Sequence, residues 1–244
     1  MIRDIAARWG IEIGDEIASG HCTRVYAAGK SVLRVPFQGE ELDSGFRASI
    51  LLQDHGGPKI LESDAGTGAL LMERIRPGVS MGDSPVAEAD AFEVVCSWLE
   101  RWQNLPTTGM MPVEAYYTSP SPLLQKLLET SPRPRFLHGD LHHFNLLWSQ
   151  DRKDWVPIDP KGLVGDPHFE AIPFLRNPVG RLPTGDDLKN LIGRRVAGFQ
   201  ARLGLDSRRI LAWAHVDFAS EVPEPGSEWE RVAWAVNELQ KEMP

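Results

Sequence analysis

Short alternating runs of apolar and polar residues fill the first third of the chain. From residue 11 to 37 the apolar positions tend to recur every second residue and glycines interrupt them, so this stretch predicts three antiparallel strands joined by tight turns. A helical pattern follows from about residue 40 to 54 and ends at the segment HGGP. Residues 59–75 then predict two further strands around the turn DAGTG. Five strands and one helix together make a small N-terminal lobe.

Beyond residue 75 the apolar spacing lengthens to three or four residues, which is typical of helices. The Pro- and Gly-rich segment 76–84 connects the two parts of the chain. Ser-Pro pairs at 84–85 and 121–122 predict two helix starts, since serine caps a helix and proline fits its first turn. From about Asp186 onward the chain is predicted to be helical to its end, apart from the break PEPG at 223–226.

These patterns predict an α+β protein with two lobes, residues 1–75 and 76–244. With 42% hydrophobic and 25% charged residues, the chain has the composition of an ordinary globular protein. A net charge of −8 argues against a nucleic-acid binder and favours a cationic small molecule as partner. Two cysteines without metal spacing indicate a reducing compartment, and no segment reads as a membrane span or signal peptide, so a cytoplasmic protein is expected.

Two apolar runs around the polar segment QDRKD predict a hairpin with strands at 145–149 and 155–159. If the loop centres on Arg152, Asn145 and Asp159 lie directly opposite each other, with Cβ atoms roughly 4.5 to 5.5 Å apart. One amide oxygen and one carboxylate then meet at the open end of the hairpin. Hard oxygen ligands in that number, with water and phosphate completing the shell, suit Mg²⁺.

The stretch FLHGDLHHFN leads into this hairpin and carries three histidines and Asp140. A carboxylate beside a metal-bound phosphate can accept or orient the proton of a hydroxyl group. A zinc site built from His138, Asp140, His142 and His143 is the alternative, but these residues do not match the helical H-x-x-x-H pattern with its glutamate. The first of these histidines is therefore expected to be structural.

The same residues resemble the motifs of a known family. HGDLHHFN followed by IDP resembles the catalytic and metal-binding motifs of the aminoglycoside phosphotransferases, which have a protein-kinase-like two-lobed fold. WVPIDPKGLVGDPHFEAIPFLRNP is similar to the signature of the streptomycin 6-kinase and hydroxyurea phosphotransferase branch, and GALLMERIRPG and GLDSRRILAWA resemble its hinge and C-terminal helices. The resemblance implies an antibiotic-resistance kinase that uses Mg²⁺ and transfers the γ-phosphoryl group of ATP or GTP to a hydroxyl of a streptomycin-like aminoglycoside.

Carried over position by position, the resemblance implies a catalytic base and a nucleotide site. Asp140 would be the base or the group that orients the acceptor hydroxyl, and Asn145 and Asp159 would hold Mg²⁺. The carbonyl of Glu73 and the N–H of Ile75 would pair with the nucleotide base.

Two further positions concern the nucleotide phosphates. Gly20 would lie in the loop over the phosphates, although the loop has one glycine of the usual G-x-G-x-x-G pattern. Arg34 stands where the family has a lysine on the third strand. Phe46 stands near the helix glutamate that pairs with this lysine, so Arg34 would need Glu41 or Asp43 as its partner.

These departures keep other functions open at this point. A pseudokinase-like module that binds nucleotide with little phosphoryl transfer is the first alternative, motivated by Arg34 and the missing helix glutamate. A kinase of the same fold that acts on a protein or another metabolite is the second. Phe144 is a further departure, because a small or polar residue is commoner in the family at this position of the catalytic loop.

Several other acidic residues need a role. Glu170 is expected to brace the catalytic loop from the next helix, and Asp166 to cap that helix. Glu221, Glu224 and Glu228 surround the break near the C-terminus, where they either face a cationic acceptor or form a solvated charged surface.

Overall fold

The computed structural model describes residues 1–19, 23–37, 42–117, 121–220 and 224–242. The strands in these ranges are β1 (Glu16–Ser19), β2 (Thr23–Ala28), β3 (Ser31–Pro36), β4 (Ile60–Asp64), β5 (Ala69–Glu73), β6 (Pro77–Ser80), β7 (Met111–Pro112), β8 (Arg135–Leu137), β9 (Leu146–Ser149), β10 (Asp154–Pro157) and β11 (Leu163–Gly165). The helices in the same ranges are α1 (Ile2–Trp9), α2 (Leu42–Leu52), α3 (Glu88–Trp102), α4 (Pro122–Glu129), α5 (Ile172–Leu175), α6 (Gly185–Leu203), α7 (Ser207–Ser220) and α8 (Glu228–Glu242). Among them, none is long and apolar enough to cross a membrane.

The five-stranded N-terminal sheet forms as predicted. Its strand order is β1-β2-β3-β5-β4, and every neighbouring pair is antiparallel. Leu33 on the central strand β3 lies opposite Leu71 on β5, and together with Ile5 of α1 they form a small hydrophobic cluster. Successive side chains of a strand point to opposite faces, so Arg34 projects from the other face of the sheet.

β9 and β10 form the predicted hairpin, with β6 as a third strand, but in a different register. Leu146 pairs with Pro157, and the connecting loop has four residues, 150–153, of which the last adopts φ 52°. The segment QDRKD had suggested a loop of five residues. The prediction that Asn145 lies directly opposite Asp159 was therefore wrong by one position, because loop length and turn type set the register of a hairpin.

Of the two predicted Ser-Pro helix starts, one is confirmed. Ser121 caps α4, because its hydroxyl accepts a hydrogen bond from the N–H of Leu124 and the proline occupies the first turn. The start predicted at residues 84–85 was wrong, because α3 begins at Glu88 with Ala87 as its N-cap. The serine at 84 instead ends a short 3₁₀ turn at Met81–Asp83.

The helices after residue 84 pack around one large hydrophobic core. Buried residues of α3, α6, α7 and α8 meet there, among them Trp102, Phe199, Trp213 and Val236. α2 joins the same core through Ala48 and Leu52, although it follows β3 in the sequence. The helix α2 therefore connects the sheet with the helical part of the molecule.

Asp166 caps the short 3₁₀ helix Pro167–Ala171, as expected, and is almost fully buried. Its carboxylate accepts hydrogen bonds from the N–H of His168 at 3.0 Å, from Nε of Arg209 at 2.5 Å and from Nε1 of Trp213 at 2.6 Å. A buried carboxylate with this many donors is satisfied by the protein itself. Asp166 therefore ties α7 to the segment that precedes α5.

Candidate active site

The loop between β8 and β9 is braced by a buried glutamate. Both carboxylate oxygens of Glu170 accept the N–H of Gly139 at 3.2 Å, so this glutamate supports the loop as expected. Gly139 has φ 80°, a conformation that glycine adopts without strain. Burial raises the pKa of Glu170 to about 8 and the charge of Asp140 adds to this effect, while the hydrogen bond from Gly139 opposes it.

Two of the loop histidines are buried and structural. Nδ1 of His138 accepts the N–H of Asp140 at 3.3 Å, and its ring stacks on Trp102. The ring of His143 stacks on Phe174 at 4.6 Å between centroids. Burial lowers the pKa of His138 to about 4 and that of His143 to about 3, so both rings are neutral at pH 7. In the ranges that the structure describes, no three His, Cys, Asp or Glu side chains are grouped to hold a metal.

Asp140 is surrounded by donors. Its Oδ1 lies 3.5 Å from Nε2 of His142 and 3.4 Å from Nη2 of Arg176, and its Oδ2 accepts from Nδ2 of Asn145 at 3.3 Å. Burial acts to raise the pKa of Asp140, but the hydrogen bond with His142 and the charges of Lys161 and Arg176 together lower it below the usual range. The group is therefore a carboxylate at neutral pH and can accept a hydrogen bond from a hydroxyl.

Asn145 and Asp159 lie together at the open end of the hairpin, although not as directly opposed residues. The carbonyl of Asn145 accepts the N–H of Ile158 at 2.9 Å, and Asp159 follows with φ 56°. This positive φ turns the chain away from the strand direction at Asp159. Burial lowers the pKa of His138, and the charges of Asp140 and Asp159 both oppose this effect, so both carboxylates lie close enough to act on this histidine.

The side-chain oxygens of Asn145 and Asp159 are suitable ligands for Mg²⁺. The amide nitrogen of Asn145 also donates to the carbonyl of Asp140 at 2.9 Å, so its amide oxygen faces away from that loop. Oδ1 of Asp159 accepts hydrogen bonds from the guanidinium group of Arg34. One amide oxygen and one carboxylate oxygen are hard ligands that suit Mg²⁺ when phosphate and water supply the others.

Arg34 pairs with Asp159. Its Nε and Nη2 lie 3.2 and 2.8 Å from Oδ1 of that aspartate, and 11% of the arginine side chain is exposed. The expectation that Asp43 is its partner was wrong, because Asp43 pairs with Arg47 on the surface of α2. The alternative partner Glu41 lies outside the described residues. Gly20, expected over the phosphates, also lies outside them.

Close packing of α2 explains where Arg34 finds its partner. Gly45 lies so near the following segment that a Cβ atom there would be 2.9 Å from the carbonyl of Pro160. A Cβ atom at Gly162 would be 2.3 Å from the carbonyl of Ser44, whose hydroxyl donates to the carbonyl of Lys161. Two glycines thus let α2 dock directly onto residues 160–162, which brings Asp159 within reach of β3.

Glu73 and Ile75, the residues predicted to contact the nucleotide base, lie at the end of β5 and in the connection to β6. The N–H of Glu73 donates to the carbonyl of Lys59 at 2.9 Å. Its carboxylate pairs with Arg152, which also donates to the carbonyl of Gly56 at 2.8 Å. The sequence patterns gave no sign of this arginine's role, because its partners are 79 and 96 positions away.

A cavity of about 840 Å³ opens beside Asp140. Its wall includes Phe144, Lys161, Arg176, Asp217, Glu224 and Trp229. The aromatic ring of Phe144 fits because its neighbour is Gly82, where a Cβ atom would be 2.4 Å from that ring.

The three glutamates near the C-terminus have different positions. Glu224 lines the cavity, whereas Glu228 accepts the backbone N–H groups of Gly180 at 2.6 Å and Leu182 at 3.3 Å. The hypothesis that Glu228 faces an acceptor was therefore wrong, because its carboxylate binds a loop of the protein. Glu221 lies outside the described residues.

The chain is similar in sequence to several known proteins. Residues 108–221 match the family of aminoglycoside/hydroxyurea antibiotic resistance kinases. The chain is 25% identical to streptomycin 6-kinase of Streptomyces glaucescens, with 88% of this chain and 78% of the relative covered. It is 29% identical to hydroxyurea phosphotransferase of Kitasatospora aureofaciens, with 87% and 68% covered.

The fold is shared with a solved structure. A thermostable mutant of the aminoglycoside phosphotransferase APH(4)-Ia, in a ternary complex with ADP and hygromycin B, superposes with a TM-score of 0.60 at 14% identity, covering 98% of this chain and 96% of the other. The predicted protein-kinase-like α+β fold is therefore confirmed. The family match, the two relatives and the shared fold therefore show that this chain is similar to the aminoglycoside phosphotransferases.

Proposed function

We propose that this protein is a small-molecule kinase that transfers the γ-phosphoryl group of a nucleoside triphosphate to a hydroxyl of a streptomycin-like aminoglycoside. The position of Asp140 carries the proposal. This carboxylate lines the large cavity on one side and contacts Asn145, a proposed metal ligand, on the other. An acceptor hydroxyl in the cavity and a phosphate held by the metal ligands would meet at this carboxylate.

On the nucleotide side, we assign the phosphates to Arg34 and the base to the backbone of Glu73 and Ile75. Residues 1–75 and 76–244 are the two lobes between which the nucleotide would bind, with the segment at 76 as their connection. Asn145 and Asp159 would hold Mg²⁺, which when bound neutralises charge on the phosphates. Because the co-substrate is a nucleoside triphosphate, ATP or GTP, we place the enzyme in the cytoplasm.

On the acceptor side, three features support an aminoglycoside. The relatives named above are a streptomycin kinase and a hydroxyurea phosphotransferase, and the structural relative binds hygromycin B. A cavity of about 840 Å³ is within the range of sites that enclose a drug-sized molecule. Glu224 gives this cavity a carboxylate suited to a cationic acceptor.

A transfer assay tests the proposal. Wild-type protein is incubated with Mg²⁺ and γ-labelled ATP or GTP across a panel of aminocyclitol antibiotics and other hydroxylated metabolites. We expect label on a streptomycin-like acceptor, and we expect Asp140→Asn to lower kcat by about 100-fold or more, the usual scale for a positioned acid–base group. Nucleotide affinity should change little, because the asparagine is nearly isosteric.

The matched control is Asp151→Asn, in the exposed hairpin loop, which should keep wild-type turnover. Wild-type protein that binds Mg-nucleotide but labels no acceptor would favour the nucleotide-binding module instead. Label on a protein or an unrelated metabolite alone would keep the chemistry and reject the aminoglycoside.

A further inference from the structure

Arg176, directly after α5, extends its guanidinium group along the cavity wall and joins two carboxylates. Nη2 lies 3.4 Å from Oδ1 of Asp140, and Nη1 lies 3.2 Å from Oδ2 of Asp217 on α7. The guanidinium carbon lies 4.9 Å from the ring centre of Trp229 on α8. This arginine lies in the cavity wall, and 20% of its side chain remains exposed.

These contacts define the position of the guanidinium. Arginine presents its donors in a planar fork, so two carboxylates on different nitrogens and one aromatic ring fix both its place and its orientation. Asp217 is itself held, because its Oδ1 lies 3.4 Å from the hydroxyl of Tyr117. A continuous series of contacts therefore runs from Tyr117 through Asp217 and Arg176 to the catalytic carboxylate.

At Asp140, the arginine acts on one of the two oxygens. Oδ1 faces Arg176 and His142, while Oδ2 faces the amide of Asn145. A carboxylate can rotate about its χ2 bond, which is broad and roughly two-fold, so donors on both oxygens are needed to fix its plane. The transfer step depends on that plane, because a small misplacement of a reacting group can cost about 100-fold in rate.

We propose that Arg176 is a positioning residue: anchored by Asp217, it fixes the Asp140 carboxylate in the orientation that receives the acceptor hydroxyl. The proposal rests on the proposed function, since it concerns the same transfer reaction. Arg176 belongs to the segment FLRNP that the family resemblance included, but no role followed from the sequence. A purely structural ion pair is the competing explanation. Phe174, fully buried beside it, already holds this segment in the core.

The test combines three variants with a matched control. Arg176→Met removes the fork at similar length and should lower kcat by about 10- to 100-fold, with the acceptor KM and the nucleotide affinity changed by no more than about three-fold. Arg176→Lys keeps the charge without the fork and should give an intermediate kcat. Asp217→Asn removes the anchor and should also lower kcat.

A double variant shows whether Asp217 acts through Arg176 or whether the two residues affect kcat independently. If Asp217 acts through Arg176, the double variant Arg176→Met, Asp217→Asn should be no slower than Arg176→Met alone. Arg101→Met is the control, because Arg101 also stacks on a tryptophan, Trp98, and lies 3.8 Å from an aspartate, Asp154. It is not among the residues of the cavity wall and should leave kcat unchanged.

The role of Arg176 would be overturned by a wild-type kcat in Arg176→Met, by a raised acceptor KM at unchanged kcat, or by full additivity in the double variant. A raised KM would show that the arginine binds the acceptor instead. A loss of nucleotide affinity and of melting temperature in parallel with kcat would show a structural role. Failure of the wild-type protein to transfer phosphate to any acceptor would instead overturn the proposed function.

Discussion

Asp159 is the residue through which the metal site can be tested. Its carboxylate contacts Arg34 by one oxygen and its positive φ directs it out of the hairpin. We expect nucleotide to raise the melting temperature far more in Mg²⁺ than in EDTA. A ligand that binds only the folded state stabilises that state, and the effect grows as the ligand binds more tightly. Asp159→Ala should abolish the difference, while Asp151→Ala in the exposed loop should preserve it. Equal shifts with and without Mg²⁺ in the wild type would remove the metal from the proposal.

Glu170 gives a prediction for pH. Its pKa is raised from 4.5 to about 8 in the folded protein, so the folded state favours the protonated carboxyl. The stabilisation from this proton is fully present below about pH 4.5 and is lost as the pH rises through about 8. Glu170→Gln stays neutral, so its free energy of unfolding should fall less between about pH 5 and 9 than that of the wild type. Urea unfolding at each pH measures this, and parallel slopes would contradict it.

At the scale of single residues, the sequence predicted candidate side chains but not their distant partners. Asp140, Asn145 and Asp159 were chosen as candidates because their types and spacing resemble a known motif, and the structure places Nδ2 of Asn145 3.3 Å from Oδ2 of Asp140. The partner of Arg34 was not found, because the pair is separated by 125 positions and depends on the docking of α2. The same holds for Arg176, directly after α5, and Asp217 on α7, which are 41 positions apart.

At the scale of elements, the contact of α2 with residues 160–162 can be tested through its glycines. Gly162 has φ 70° and lies against the carbonyl of Ser44. Gly162→Ala should lower the free energy of unfolding by about 1–2 kcal/mol for the left-handed backbone conformation. The steric clash with the carbonyl of Ser44 adds to this loss, and it should weaken nucleotide binding by moving Asp159 away from Arg34. Urea unfolding and nucleotide titration measure the two effects.

The control for Gly162 is Gly29→Ala. Gly29 has φ 61° and open space around a Cβ atom, so alanine there has the same unfavourable backbone conformation but no steric clash. If both variants lose the same stability and bind nucleotide equally, the close approach of α2 has no effect on the site.

Element types followed from periodicity, whereas boundaries and register did not. The five N-terminal strands and the start of α4 were predicted because alternation and capping are local signals. The hairpin register failed by one position because one loop residue took the left-handed conformation, which the segment QDRKD does not indicate. The start of α3 failed because the serine at 84 ends a 3₁₀ turn instead of beginning a helix.

At the scale of the whole molecule, charge gives a further prediction. The chain has a net charge of −8, and its cavity wall includes Glu224. Attraction of a cationic acceptor by these charges is screened by salt, so its KM should rise as ionic strength increases from about 0.05 to 0.3 M. Steady-state kinetics on a cationic and a neutral acceptor measure this, and a KM that changes equally for both would show that charge is not involved.

The fold class was predicted at the scale of the whole molecule, but the cavity was not. Its wall combines residues from 116 to 229, contributed by loops, the segment after α5, α7 and α8. No spacing along the chain brings these residues together, since their proximity depends on how the helices pack around the large core. Tyr117, Arg176 and Trp229 were therefore missed as a group.

The hydrogen bonds of Arg152 have a mechanical consequence. One side chain fastens the β9–β10 loop to the carbonyls of Gly56 and Gly57 and to the carboxylate of Glu73. Any swinging of the five-stranded sheet relative to the hairpin must leave these points nearly stationary, so the axis of such a motion passes close to Arg152. Displacement grows with distance from an axis, so the parts of the sheet farthest from Arg152 would move most if a nucleotide enters or leaves the site proposed between the two lobes.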